Sequence, residues 1–298
     1  MKKLAAFALI LLGIGVICAF FVFDKNDFVK LKGDPYLQEQ SIDATAVKSI
    51  YTETDTFDLT YVQGTSNKVK LRLEGNVSKK LMDKIVFTAE TKGDSLYIKS
   101  NTRNQFFSFG ISIVNLHLTI ELPEKLWDNF QAESDTGKIN IDKLNAANLE
   151  LETDTGNIAI GQLEAKKLSL KSDTGDLKVS NYTASEVQFE TNTGNVRLED
   201  GTGRLKGETD TGNVRVDAAE LHNDIAISTD TGNISINVDQ QPTSATILIN
   251  KEIGKTQIEW EGLSESGNSK NNVKRVIGGG ELQIELESDT GNIKLGKR

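Results

Sequence analysis

A chain of 298 residues is long enough for one large domain or two smaller ones. Three prolines and few aromatics, with much Thr, Asn, Asp and Gly, suit strands and turns better than helices. The formal net charge of -9, with no basic stripe to replace phosphate counterions, argues against nucleic acid as a partner.

The first element is apolar. Lys2 and Lys3 precede an uncharged run of 20 residues from Leu4 to Phe23, closed by Asp24 and Lys25. At about 1.5 Å per residue a helix of that length crosses the ~30 Å hydrocarbon core. The run ends Ala19-Phe20-Phe21-Val22-Phe23, a poor signal-peptidase site, and Cys18 follows Val16-Ile17 where a lipoprotein signal needs a small residue. The expectation is an uncleaved transmembrane anchor over 1–23, with the leading lysines holding the amino terminus in the cytoplasm and the rest of the chain outside the plasma membrane. The only cysteine lies inside the run, so the outside body folds without disulfides. Residues 24–43 read as a polar stalk.

Residues 44–130 read as a β segment with degenerate repeats. Its strands are expected at Val69–Leu73, Ile85–Ala89, Leu96–Ile98 and Ile113–Leu122. Thr54-Asp55-Thr56-Phe57-Asp58 resembles a decayed copy of a phrase that dominates the carboxy-terminal half, with Phe57 in the place of a glycine.

That phrase is Ser/Thr-Asp-Thr-Gly-Asn, and residues 131–298 restate it seven times with small edits. Its glycines are Gly137, Gly156, Gly175, Gly194, Gly212, Gly232 and Gly291, at spacings of 19, 19, 19, 18, 20 and then 59, near three periods. A fixed period of this size marks a repeat architecture. Apolar residues alternate before each phrase, as in Leu149 and Leu151 or Leu168 and Leu170, and again after it, as in Ile158 and Ile160. Period-two alternation means half-buried strands, so each repeat is strand, tight turn, strand and a second connection. Every length change falls in the second connection, which leaves the phrase as the geometrically fixed corner.

In that corner Asp154 is expected to accept a backbone bond and Gly156 to supply positive φ. Thr153 and Thr155 share the parity of Leu149 and Leu151, which points at least Thr153 inward, where stacked hydroxyls can bond each other. Two architectures fit: a β-solenoid, parallel β-helix-like with about 19-residue repeats, or a chain of antiparallel hairpins setting Thr153 against Ile158. Near-identical rungs favour the solenoid, because stacking like on like rewards the same residue type in each column. Between the sixth and seventh copies Ala245–Trp260 reads as another strand pair around Asn250–Gly254, and Gly262–Asn272 as a polar loop.

The repeated Ser/Thr-Asp-Thr-Gly-Asn-Ile/Val phrase, with Leu122-Pro123 before the first copy and Gly278-Gly279-Gly280 before the last, resembles the bacterial "putative adhesin" domain family. The resemblance covers roughly Ala44 to Leu295, and its single amino-terminal anchor is similar to that of members encoded with cell-envelope stress-response systems in Firmicutes. It implies an extracytoplasmic β-solenoid associated with envelope stress, and it carries over no catalytic residue.

The candidate sites divide by chemistry. Asp135, Asp154, Asp173, Asp210, Asp230 and Asp289, with Asn192 once, form an acidic column. Neighbouring carboxylates about 4.8 Å apart repel, and a divalent cation would relieve this, but one Asp per rung offers too few of the six to eight oxygens calcium takes. A structural turn is the expected role. A wall-polysaccharide hydrolase or lyase would need a carboxylate pair at a defined separation, a local exception to the repeat that the sequence does not show. His117 and His222 have no partner at metal-ligand spacing. No catalytic, cofactor-binding or metal-binding residue is therefore assigned, and no cofactor is expected. A threonine face for ice is set aside because parity points the threonines inward. Outward Lys171, Glu190, Arg197, Lys206, Glu208 and Arg215 offer mixed charge to a cell-wall polymer or another envelope protein. Phe106, Phe107 and Phe109 are the one aromatic cluster of the outside body, expected to cap the solenoid.

Overall fold

The computed structural model describes residues 33–102, 114–269 and 271–298. The expected anchor at Leu4–Phe23 and the cluster Phe106, Phe107 and Phe109 lie outside the described residues. Among the described residues no helix is long and apolar enough to cross a membrane.

The fold is all-β. In chain order the strands are β1 (Asp34–Asp43), β2 (Ser49–Thr54), β3 (Asp58–Gly64), β4 (Lys68–Val77), β5 (Ile85–Lys92), β6 (Ser95–Thr102), β7 (Val114–Pro123), β8 (Leu126–Thr136), β9 (Ile139–Thr155) and β10 (Ile158–Thr174). Next come β11 (Leu177–Ser180), β12 (Tyr182–Thr193), β13 (Val196–Glu199), β14 (Thr202–Thr211), β15 (Val214–Ala218), β16 (Ile225–Thr231) and β17 (Ile234–Val238). The last are β18 (Ala245–Ile253), β19 (Thr256–Ile258), β20 (Ser264–Asn268), β21 (Asn272–Ile277), β22 (Leu282–Thr290) and β23 (Ile293–Lys297). One 3-10 turn, Lys79–Lys84, precedes β5.

Each repeat contributes a strand to a first face, turns at the Asp-Thr-Gly corner, and contributes a strand to a second face. The first face runs β5–β6–β2–β8–β9–β10–β12–β14–β16–β22–β18–β21–β20. The second runs β1–β4–β7–β3–β9–β10–β11–β13–β15–β17–β23–β19. The long strands β9 and β10 carry the ladder from the second face of one rung through the connection to the first face of the next. Pairing within the stack is parallel and sets Thr153 beside Ser134 and Ser172, which excludes the hairpin array.

The core is a file of like residues. Leu149, Leu151, Leu168 and Leu170 on the first face meet Ile139, Ile141, Ile158 and Ile160 on the second, all buried. Burying each such side chain contributes about 1.5–3 kcal/mol, offsetting the ordering of its rung. At two of the aromatics in the file a glycine in the next rung makes room: a Cβ at Gly201 would overlap the Tyr182 ring, and one at Gly207 the Phe189 ring. The short rung is where the spacing drops to 18, and its ladder shifts register between Thr183 and Glu186.

Spatial order departs from chain order at both ends. The decayed copy, β2 and β3, lies between β6/β7 and the first true copy. The seventh copy, β22 and β23, stacks directly on the sixth, and the earlier pair β18/β19 lies outside it. The 59-residue gap is thus an excursion that builds the outer rung first, and not three stacked periods. The corner residues explain the choice. Ser288, Gly291 and Asn292 continue the three corner columns of the sixth copy, whereas Lys251 beside Ser288 and Lys255 beside Asn292 end the hydroxyl and asparagine columns.

Both ends are closed by antiparallel strands, β5 and the β4–β1 pair at one end and β21–β20 at the other, so few parallel edges are left to recruit other chains. Two expectations are corrected here. The stalk ends sooner than residue 43, because Asp34–Asp43 is strand β1, with Tyr36, Gln38, Gln40 and Ile42 half-buried against the body and Leu37, Glu39 and Ser41 exposed. The loop expected over Gly262–Asn272 contains β20, whose main chain pairs antiparallel with β21.

Candidate functional site

At the corner, the first Ser or Thr of the phrase points inward. Ser134, Thr153, Ser172, Thr191, Thr209, Thr229 and Ser288 are all buried. The Thr153 hydroxyl donates to the Gly137 carbonyl (3.3 Å), Ser172 to Gly156 (3.2 Å) and Ser288 to Gly232 (3.0 Å). Thr191 and Thr229 bond the glycine carbonyl of the neighbouring rung likewise, the Thr209 hydroxyl does not, and among the described residues only the Thr54 hydroxyl of this column reaches another, Ser134 (3.2 Å). The second threonine turns out: Thr136, Thr155, Thr174, Thr193, Thr211, Thr231 and Thr290 are exposed, in a single rank beside the aspartates.

The glycine is required for a different reason from the one expected. Apart from Gly254, no glycine of this column has left-handed φ. Instead each lies against the carbonyl of the glycine before it. A Cβ at Gly156, Gly175, Gly194, Gly212, Gly232 or Gly291 would stand 2.5 to 2.8 Å from that carbonyl carbon. Gly137 stacks in the same way on the Phe57 carbonyl of the decayed copy.

The aspartates of the acidic column are exposed. The bonding falls to the residue after the glycine. Asn157 Oδ1 accepts the Asp176 N–H (2.9 Å), and Asp176 Oδ1 accepts the Asn195 N–H (2.8 Å). Asn195, Asn213, Asn233 and Asn292 continue the ladder to the Lys255 N–H (2.9 Å), with side-chain amides adding bonds of 2.8 to 3.1 Å. Lysine stands at both ends of it, Lys138 and Lys255, donating a main-chain N–H but offering no side-chain acceptor to a further rung. This asparagine ladder was visible in the sequence only as a fixed offset from glycine.

Among the described residues no three His, Cys, Asp or Glu side chains stand close enough to hold a metal ion. At the amino-terminal end of the acidic column, burial and then the neighbouring Asp55, Asp154 and Glu53 charges raise the Asp135 pKa. Burial, Glu152, Glu53 and the nearby aspartates do the same for Glu133.

The outward mixed charges are divided between two surfaces. On the second face, cations find partners. Arg215 Nε donates to Asp217 (2.6 Å), Arg197 Nε to Glu199 (2.6 Å), and Lys178 and Lys294 pair with Glu199 (3.1 Å) and Glu259 (2.9 Å). Asp217 is buried. Burial opposes its ionisation, but Arg215, the Asn237 amide (2.8 Å) and Arg197 outweigh this and hold its carboxyl below the ordinary range.

The first face is different. A groove of about 990 Å³ lies over its outer side, from β9 to β18, with Gly267, Ser269, Asn272 and Lys274 of the β20–β21 hairpin on its wall. Lys171, Glu190, Lys206 and Glu208 line it, whereas Arg197 and Arg215 belong to the second face. A second depression of about 400 Å³ sits at the second connection among Glu220, His222, Asp224, Gln241 and Glu281, where His222 Nε2 is 3.6 Å from Glu220. His117 is half-buried on β7, facing outward between buried Leu116 and Leu118.

Comparison with known proteins agrees with this architecture. A "putative adhesin" from Bacteroides fragilis NCTC 9343 superposes with a TM-score of 0.51 at 16% identity, over 87% of this chain and 97% of that one. A "putative lipid binding protein" from Parabacteroides distasonis ATCC 8503 gives 0.50 at 14% identity, over 89% and 97%. At such identities the likeness is one of fold. No curated protein matches the sequence. The profile of a protein family described as Toastrack DUF4097 matches residues 47–296, nearly all of the stacked body, and the chain belongs to that family.

Proposed function

We propose that this chain is a non-enzymatic, adhesin-like binding or scaffold module of the bacterial cell envelope, held on the outer side of the plasma membrane by the apolar run Leu4–Phe23 as a single span. The observation that carries the binding reading is the open groove along the outer side of the first face, which gives a partner an extended surface. The corner supports it from the other side. Its recurring chemistry is spent on stacking, through the buried hydroxyls, the glycine approach and the asparagine ladder. Its aspartates recur on nearly every rung, whereas a catalytic pair is a local arrangement. The description of one similar fold as a "putative adhesin" points the same way. The partner is a cell-wall polymer or another envelope protein, and the module serves the envelope under stress.

The test is a photo-crosslinking residue at Ser228, on the groove floor, in intact cells under envelope stress. The expected result is a discrete adduct with a wall polymer or an envelope protein. Capture of bulk lipid alone, or of nothing, overturns the binding role.

A further inference from the structure

We infer that the groove over the first face takes an extended, lysine- or arginine-rich peptide segment of a partner protein. The inference rests on the binding role proposed above and names its partner's chemistry. Six glutamates line the groove, Glu150, Glu152, Glu190, Glu208, Glu285 and Glu287, against three lysines, Lys171, Lys206 and Lys274. Of the lysines, Lys171 sits between two of the glutamates and is 3.6 Å from Glu152. The second face of the same stack pairs its cations with carboxylates, so the acidic excess is a property of the groove and not of every surface.

Shape agrees with charge. On β16 the outward residues are Ala226 and Ser228, flanked in register by Lys206 and Glu208 on β14 and by Glu285 and Glu287 on β22. The small pair makes a low floor with carboxylates on either side, and half-buried Leu248 beyond Glu285 gives the stem of a long basic side chain an apolar surface. No three carboxylates among the described residues converge on one point, so a single metal ion is a poor match. Charge spread along the groove fits a ligand whose positive charges are spread likewise. From β9 to β18 the groove crosses seven strands, about 30 Å at ~4.8 Å per strand, the length of about nine extended residues.

The experiment uses the full chain in nanodiscs of neutral lipid and a labelled ten-residue peptide alternating lysine and serine, with its glutamate counterpart as control. The expected result is saturable binding of the lysine peptide alone, weakened at least about tenfold by Glu208→Gln, Glu285→Gln and Glu287→Gln together. Removing the same number of charges outside the groove, with Asp154→Asn, Asp173→Asn and Asp210→Asn, leaves affinity within about twofold. All six side chains are exposed acids at strand positions, and unchanged melting temperatures confirm folding. No binding, or equal loss in both triple variants, overturns the inference, since equal loss means attraction to net charge alone. If the Ser228 crosslinker captures a wall polymer while the peptide does not bind, the groove's occupant falls and the binding role stands. If the peptide binds but cells yield no adduct, the binding role falls.

Discussion

Replacing Gly194 by alanine tests the role of stacking most directly. The new methyl would stand 2.6 Å from the Gly175 carbonyl carbon and closer still to its oxygen, both main-chain atoms that no rotamer change can move away. Relief requires the two corners to part by most of an ångström. That stretches the Thr191 hydroxyl bond to the Gly175 carbonyl (3.4 Å), the Gly175 N–H bond to Thr193 (2.9 Å) and the Asn195 N–H bond to Asp176 (2.8 Å). Three hydrogen bonds at about 1 kcal/mol each, with overpacking of about 1–3 kcal/mol, give a cost of about 4–6 kcal/mol. Gly93→Ala is the reference. Gly93 has φ +65° and nothing within 4 Å of an added Cβ, so that change meets only backbone strain of about 1–2 kcal/mol. Urea denaturation of both variants, followed by circular dichroism, measures the difference. If Gly194→Ala costs no more than Gly93→Ala, close approach is not why glycine recurs, and the corner needs another explanation.

Asn213→Ala removes the acceptor of both the Asn233 N–H (3.0 Å) and its side-chain amide (2.8 Å), and should cost about 1–2 kcal/mol in the same assay, whereas exposed Asp154→Ala should stay within about 0.5 kcal/mol. The reverse ranking would return the structural role to the aspartate. Asp217 has its folded-state pKa below the ordinary 3.8, so its stabilisation is full above that value and is lost as pH falls through the folded one. Asp217→Asn should therefore lower the melting temperature at pH 7, by leaving Arg215 without its carboxylate, and flatten the decline of stability on acidification below pH ~4. Glu133 has the opposite sign, its pKa raised by burial and by Glu152, Glu53 and the nearby aspartates. Its ionised form opposes folding at neutral pH, so Glu133→Gln should raise the melting temperature at pH 7 and lose that advantage in acid.

The groove was the least legible part of the molecule in its sequence. Alternation showed that Lys171, Glu190, Lys206 and Glu208 face out, as do Arg197 and Arg215, but not that a corner separates the first four from the last two. Which charges share a surface depends on how many residues lie between each and its corner, and on the hairpin β20–β21, whose first strand read as a polar loop. His222 shows the same limit. The sequence placed it in a connection, and only the folding of two other connections beside it makes a depression there.

The sequence by itself determined the strands of the repeats, the period, the inward hydroxyl and the fixed corner, because each follows from interactions within one repeat or between identical neighbours. A parity, a glycine and a Ser or Thr at constant offset suffice for these. The tertiary structure decided whether rungs pair in parallel and in what order they stack. It also decided whether glycine answers to φ or to a neighbouring carbonyl, and which side chain carries the ladder. Those depend on where one backbone stands relative to another. Two arrangements of the same repeat can satisfy the local pattern equally, and only the contact between rungs distinguishes them: 2.6 Å from the Gly194 Cβ position to the Gly175 carbonyl carbon, and 3.0 Å from Asn233 N–H to Asn213 Oδ1.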